Sequence, residues 1–365
     1  MPMRILAWPA FRPDTGNPYN ALLYGAVERR GAEVDEFTPR RLLSGRYDVW
    51  HIHWPDRIAH ANAAPIRIAA FGLLVGWARL RGTGIVWTIH NLEGHAGRRP
   101  RLERSLLRWL SRRIDGLIAL SESGALAAAE RYPALRRSAV AVTPHGHYIG
   151  RYPNEIGRRE ARAALGIGED ERAAVFVGRI APYKNVDGLV REFRGLDDAK
   201  ARLVVAGRPA TDDLHTAIAA AAGGDPRIQL HLRELGDSEL QLFLNSADLV
   251  VLPFERILNS ASALLALSFG RPVLVPRTGT MLDLRAQLGA AAVRTFAEPL
   301  SAAHLHAALA APAPDPETLV ARLRALHDWD EIAERTLSLY REAAGSSFRA
   351  EDSAGATGPK AREAA

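Results

Sequence analysis

Residues 173–193 read AAVFVGRIAPYKNVDGLVREF. The apolar run around Phe176, closed by Gly178, has the composition of a strand buried on both faces. Arg179 follows at once, and Lys184 stands just before a segment with helical periodicity. Strand, short loop and helix make one step of a parallel sheet wound with helices. The step repeats along the chain. In the first half, strands are expected at 4–10, 34–37, 49–54, 85–90, 116–121 and 139–144, with helices between them that include 19–31 and 101–113. After a connector rich in Gly, Pro and Tyr (145–159) the pattern restarts, with strands at 173–178, 202–207, 228–232, 248–254 and 272–276. The last periodic stretch, 316–345, reads as one long helical segment whose Trp329 and Tyr340 suit packing onto the first domain.

A chain of 365 residues is too long for one ordinary core and suits two α/β domains. The fold class expected is α/β, two Rossmann-like domains facing one another across a cleft. Their boundaries are set at 1–148 and 149–325, with 326–344 as a helix crossing back to the first domain and 345–365 as a polar, disordered tail. Hydrophobic residues at 47% and charged ones at 24% are ordinary globular usage. The absence of Cys excludes a disulfide framework and thiolate metal sites. The start MPMRILAWPAFRPD lacks the order of a signal peptide, and no apolar run reaches bilayer-spanning length, so a cytoplasmic location is expected.

In open α/β sheets ligands bind beyond the carboxyl ends of the strands. Gly178, Arg179 and Lys184 occupy such a place, and two cations at a helix entrance suit a diphosphate, because Arg offers a planar fork and Lys a point charge. A solvated charged loop would have the same composition. The stretch FERILNSASALLALSFGRPVLVP (254–276) sets Asn259, Ser260, Ala261 and Ser262 at the mouth of an apolar helix. These residues suit an anion cradle, and they equally suit a helix cap.

The loop after the first strand, PAFRPDTGNPYN, holds one Gly, not the G-x-G-x-x-G of a dinucleotide site. Gly16 and Asn17 there can let a ligand approach the backbone, and Asp14 lies beside them. HIHWPD places His53, Trp54 and Asp56 at a strand end, and TIHNLEGH places His90, Asn91, Glu93 and His95 at another. Such groups bind hydroxyls or remove a proton, and they are also what a polar cleft holds without chemistry. His145 lies where the chain passes between the halves. No metal site is expected, since no H-E-x-x-H spacing occurs. The net charge is +6, and basic residues crowd between Arg67 and Arg113, interleaved with Trp77, Trp109 and leucines. That composition suits an anionic membrane surface or a solvated face; no RRM, helix-turn-helix or zinc-finger pattern supports nucleic acid.

The segment GRIAPYKNVDGLVREF resembles the G-R-x-x-x-x-K signature of GT-B glycosyltransferases, and RLVVAGRPATDD and DLVVLPFERILNSASALLALSFGRPVLVPRTGTMLDL resemble the next parts of their donor domain. The resemblance spans residues 4 to 342. It implies an acceptor-binding first domain and a second that binds a UDP- or GDP-sugar as substrate, with no cofactor or required metal. It also implies a glycan or polyprenyl-linked acceptor, exopolysaccharide synthesis, and a place on the inner face of the plasma membrane. Donor contacts are implied at Gly178, Arg179, Lys184, Asn259, Ser260, Ala261, Ser262 and His145, and acceptor contacts at Gly16, Asn17, Trp54, Asn91 and His95. Candidates for the base are His90, Glu93, His53, Asp56 and Asp14. Many retaining members carry E-x7-E here; the matching positions are Ile257 and Leu265, with Glu255 out of register. The departure resembles the branch that includes bacterial exopolysaccharide β-mannosyltransferases and implies inversion. Two other readings stay open, a nucleotide-sugar epimerase and a catalytically silent nucleotide-sugar-binding subunit.

Overall fold

A computed structural model describes residues 1–12, 17–92, 99–255, 258–297 and 299–354. The chain divides into two compact units, Met1–Pro144 with Trp329–Ala365, and His145–Asp328. The first contains β1 (Arg4–Trp8), α1 (Tyr19–Arg29), β2 (Glu33–Glu36), α2 (Pro39–Ser44), β3 (Val49–Ile52), α3 (Asp56–His60), α4 (Ala64–Leu80), β4 (Gly84–Ile89), α5 (Pro100–Leu110), β5 (Gly116–Ala119), α6 (Glu122–Arg131) and β6 (Ala139–Val142). The second contains α7 (Arg158–Ala164), β7 (Arg172–Val177), α8 (Val186–Arg194), β8 (Ala201–Ala206), α9 (Asp212–Ala222), β9 (Ile228–His231) and α10 (Leu240–Ser246). It continues through β10 (Leu249–Val251), α11 (Ala261–Ser268), β11 (Val273–Pro276), α12 (Gly279–Leu288), β12 (Val293–Phe296), α13 (Ala302–Ala310) and α14 (Pro316–Leu326), before α15 (Trp329–Ala354) returns to the first unit.

Each unit holds a six-stranded sheet, in the orders β2-β1-β3-β4-β5-β6 and β12-β11-β10-β7-β8-β9. All pairings are parallel. In the first sheet the chain runs outward from β1 to β2 and then restarts on the other side of β1 with β3. In the second it runs from β7 to β9 and restarts beside β7 with β10. These reversals open the crevices at strand ends where ligands of such sheets bind.

Alternation along the strands divides the first sheet into two apolar faces. Leu6, Trp50, Ile52, Ile85 and Trp87 pack with Ile58, Phe71, Val75 and Leu106. On the other side Ile5, Ala7, Val49, Val86 and Ile118 pack with Tyr19, Leu23 and Val27 of α1 and with Trp329, Ile332, Leu339 and Tyr340 of α15. The C-terminal helix thus completes the first core. Its backbone comes so close that a Cβ at Gly84 would stand 2.8 Å from the Ala343 carbonyl oxygen.

Four differences separate the structure from the sequence reading. The 316–345 stretch is two helices, interrupted at His327, whose Nδ1 donates to the His145 carbonyl at 2.7 Å, and Asp328. That last helix runs to Ala354, past Gly345, where the tail was expected to begin. Strand β12 was not expected at all: its central Arg294 masks the apolar pattern, and its guanidinium folds back onto the carbonyls of Ala308, Ala311 and Pro312 at the end of α13. The unit boundary lies at Pro144/His145, where 148/149 was expected.

Candidate active site

The crevice between β7 and β10 is built by the residues that follow those strands. Gly178 leaves β7 at φ +124°, and Gly207 leaves β8 at φ +144°. The two backbones approach so closely that a Cβ at Gly207 would stand 2.0 Å from the Gly178 carbonyl oxygen, so no side chain fits there. Pro182–Lys184 then make one 3-10 turn, which Asn185 ends in the left-handed conformation to start α8. This turn directs Lys184 inward. The Glu255 amide donates to the Tyr183 carbonyl at 2.9 Å, tying the loop after β10 to the turn after β7.

Lys184 is 9% exposed, and its Nζ lies 5.8 Å from the ring centre of Phe176 and 5.2 Å from that of Phe254. Among the described residues no carboxylate pairs with it, nor with the exposed Arg179 next along the crevice. Burial foremost, and then the Arg179 charge, hold the Lys184 ammonium down to about 8. Two aromatic faces do not replace a counter-ion for a buried cation. The arrangement attracts an anion.

At the mouth of α11 the hydroxyl of Ser260 accepts from the Ala263 amide at 3.1 Å, so this serine is a helix cap. The amides of Ala261 and Ser262 have no intrahelical acceptor by position, and Ser262 Oγ makes no hydrogen bond among the described residues. Ser260→Ala therefore lowers stability by about 1 kcal/mol, the ordinary worth of a cap, whereas Ser262→Ala leaves melting unchanged and acts only on anion affinity. Thermal melts of the two variants with and without nucleotide check this.

In the first unit, alternation sends His51 of β3 and His53 just after it, and Thr88 of β4 and His90 just after it, to the face covered by α1 and α15. There Tyr24 Oη lies 2.8 Å from His51 Nδ1 and 2.6 Å from His53 Nε2, and Tyr340 Oη lies 2.6 Å from the same His51 nitrogen. His51 Nε2 meets Thr88 Oγ1 at 2.7 Å, and His53 Nδ1 meets His90 Nε2 at 3.0 Å. His51 and His53 are fully buried, which pushes the first down to about 3 and the second well below its usual value, so both are neutral. His90 is the half-exposed end of the array, stacked on Trp54 with ring centres 4.5 Å apart.

Residues 157–334 match the family described as Glycosyl transferases group 1. Over 339 residues the chain is 31% identical to a GDP-mannose:glycolipid 4-beta-D-mannosyltransferase of Xanthomonas campestris pv. campestris, covering 90% of this chain and 89% of that one. The chain belongs to the group 1 glycosyltransferases. Its fold is that of GT-B enzymes. Sucrose-phosphate synthase from Thermosynechococcus elongatus superposes with a TM-score of 0.70 at 16% identity, covering 94% of this chain and all (100%) of that one. Anabaena Alr3699/HepE, solved with UDP and glucose, superposes with a TM-score of 0.63 at 14% identity over 92% of this chain and 98% of that one.

The glycosyltransferase's sequence-predicted residues fall into several groups. Gly178, Arg179, Lys184, Ser260, Ala261 and Ser262 all follow β7 or β10, and Asn259 is half-buried beside the cap. His145 is buried, its Nδ1 2.9 Å from the Gly146 carbonyl oxygen and its Nε2 3.3 Å from Tyr148 Oη; burial holds it down to about 4. His53, His90 and Trp54 lie together. Asp56 starts α3, its carboxyl raised first by burial and then by Glu103, which is itself hydrogen-bonded to His60. Asn17 accepts from the Tyr19 amide at 3.0 Å, a turn contact that starts α1, and Asn91 is half-buried after β4. Asp14, Gly16, Glu93 and His95 lie outside the described residues, as does Ile257; Leu265 is half-buried in α11. Sequence reasoning missed His51, Tyr24, Thr88 and Tyr340. The His-x-His alternation in HIHWPD was the one available signal, since residues two apart on a strand share a face.

Proposed function

We propose that this glycosyltransferase moves mannose from GDP-mannose to a hydroxyl of a glycolipid, with inversion, in the assembly of a lipid-linked exopolysaccharide. The single observation that carries the donor side is the buried, unpaired ammonium of Lys184 beside Arg179 and the open amides of α11. The sugar and the lipid acceptor are supported by the mannosyltransferase of Xanthomonas campestris, which aligns along nearly the whole chain. In this reading the diphosphate is held by Lys184, Arg179, and the amides of Ala261 and Ser262, which stabilise the departing GDP without a required metal. The protein sits at the inner face of the plasma membrane, where a lipid-linked acceptor is found.

The acceptor oxygen attacks C1 of the mannosyl group, the bond from C1 to the phosphate oxygen breaks, and GDP leaves with its electron pair. The acceptor proton passes to His90. Its Nε2 lies 3.0 Å from His53 Nδ1, to which Nε2–H donates and so orients the ring. The tautomer carries into the array: with its Nδ1 accepting, His53 holds its proton on Nε2 and donates it to Tyr24 Oη.

The test is a thermal-shift panel of GDP-mannose against UDP-sugars, followed by NMR of the product formed with a lipid-linked glycan. A rise in melting temperature with GDP-mannose, GDP release that requires acceptor, and a β-linked product are expected. A changed sugar nucleotide formed without acceptor identifies an epimerase, and binding without turnover a silent subunit. Retained configuration overturns the displacement.

A further inference from the structure

A surface helix ordinarily turns charge to the solvent, and α4 keeps its two arginines, Arg67 and Arg79, off the middle of its solvent side. Its inner face buries Ala64, Phe71, Val75 and Ala78. On the opposite side, within an arc of about 120° on a helical wheel, stand Ile66, Ala69, Ala70, Leu73, Gly76, Trp77 and Leu80, without a charged residue among them. Ile66 is 73% exposed, and Leu73 and Leu80 are each 77% exposed. Large aliphatic side chains recurring every seventh residue on the solvent side of one helix make a continuous apolar stripe.

Helix α5 lies alongside. A Cβ at Gly72 would stand 3.8 Å from the Trp109 ring, so α4 uses a glycine to take that ring against its flank. The outer face of α5 is as uniformly cationic as that of α4 is apolar: Arg101, Arg104, Arg108 and, just beyond its end, Arg112 recur at helical spacing and are all exposed. Among the described residues none of them pairs with a carboxylate. The acid of this helix, Glu103, is buried, its Oε2 2.7 Å from His60 Nε2. Further guanidiniums edge the tryptophans, with Arg81 5.5 Å from the Trp77 ring centre and Arg113 4.4 Å from that of Trp109.

We infer that the outer faces of α4 and α5 form a docking surface for an anionic phospholipid bilayer, with Ile66, Leu73 and Leu80 entering the acyl boundary and Arg101, Arg104, Arg108 and Arg112 meeting headgroup phosphates. Charge and polarity select this occupant. An apolar stripe beside a guanidinium stripe matches the layering of acyl chains under phosphates. A nucleic acid backbone leaves the aliphatic stripe without a partner, and a two-fold contact with a second copy sets arginines near arginines. The inference deepens the peripheral-membrane part of the reading above; it does not depend on the donor or on His90.

The full chain is sedimented with vesicles of phosphatidylglycerol and phosphatidylethanolamine, and with phosphatidylcholine alone, at low and high salt. The parent chain binds the anionic vesicles, and high salt weakens the binding by screening headgroup attraction. The Ile66→Ser/Leu73→Ser/Leu80→Ser variant and the Arg104→Glu/Arg108→Glu variant each bind at least tenfold more weakly. In both, the GDP-mannose thermal shift equals the parent's, which separates failure of docking from failure of the donor reading. Absence of parent binding to anionic vesicles overturns the inference, as does unaltered binding by the serine variant. A parent dimer in analytical ultracentrifugation that the serine variant converts to monomer assigns the surface to a second copy and overturns it as well.

Discussion

Replacing His90 by Gln lowers kcat by roughly 10² to 10⁴ while leaving GDP-mannose affinity within error, because a general base acts on the acceptor proton and not on the donor. The expectation rests on position. His90 is the half-exposed member of an array whose other histidines are buried and neutral. His53 is buried and cannot reach an acceptor, but its Nδ1 accepts from His90 Nε2 at 3.0 Å and so orients the His90 ring. GDP release at saturating donor and acceptor measures the loss. Full activity in the variant removes the base from this array and leaves the fold and the donor site standing.

Lys184→Met weakens nucleotide-sugar binding by about 1.5 to 3 kcal/mol, the worth of a charged hydrogen bond, without lowering the melting temperature of the ligand-free protein. The second half is the unusual one. A buried ammonium with no counter-ion among the described residues is a cost to the folded state, so an isosteric apolar chain over Phe176 and Phe254 removes a cost as it removes a function. The same group sets a pH dependence. Burial holds Lys184 at about 8, below the ordinary lysine value, so it is charged at pH 7 and neutral at pH 9. Donor affinity therefore falls as pH rises through 8, by up to about tenfold per unit, and Lys184→Arg flattens the profile. The stability term has the opposite sign: above pH 8 the unfolded lysine binds the proton that the folded one has lost, so this group's contribution to stability rises with pH. Calorimetric titration with GDP-mannose at several pH values reads the first, and melts without ligand read the second. Unchanged donor affinity in Lys184→Met sinks the diphosphate assignment.

The placement of the candidate donor residues was legible because it depends on local order. A buried strand, a glycine and a helix start determine that Gly178, Arg179 and Lys184 lie at a strand's carboxyl end, and the small residues 259–262 determine a capped helix mouth. The ambiguity between cap and cradle was real, and the structure divides it by residue: Ser260 caps, while Ser262 and the first amides remain open. The charge state of Lys184 was not legible. It follows from which rings cover it, and Phe254 arrives from a loop seventy residues away.

By itself the sequence determined the alternation of strands and helices, the two-fold repeat of the wound sheet, and which residues follow β7 and β10, because periodicities of two and of three to four residues act over short distances along the chain. It did not determine β12, where an arginine interrupts the pattern, or the break at His327, which is a hydrogen bond to a residue far off in sequence. Only the tertiary structure brought Tyr24, His51, His53, His90 and Tyr340 together, since they come from two strands, the first helix and the last. Only the tertiary structure decided which side of α4 faces water. Apart from Arg67 and Arg79 that helix is apolar, so its sequence carries little to orient it, and the exposed stripe exists because β4, α3 and α5 take the other faces.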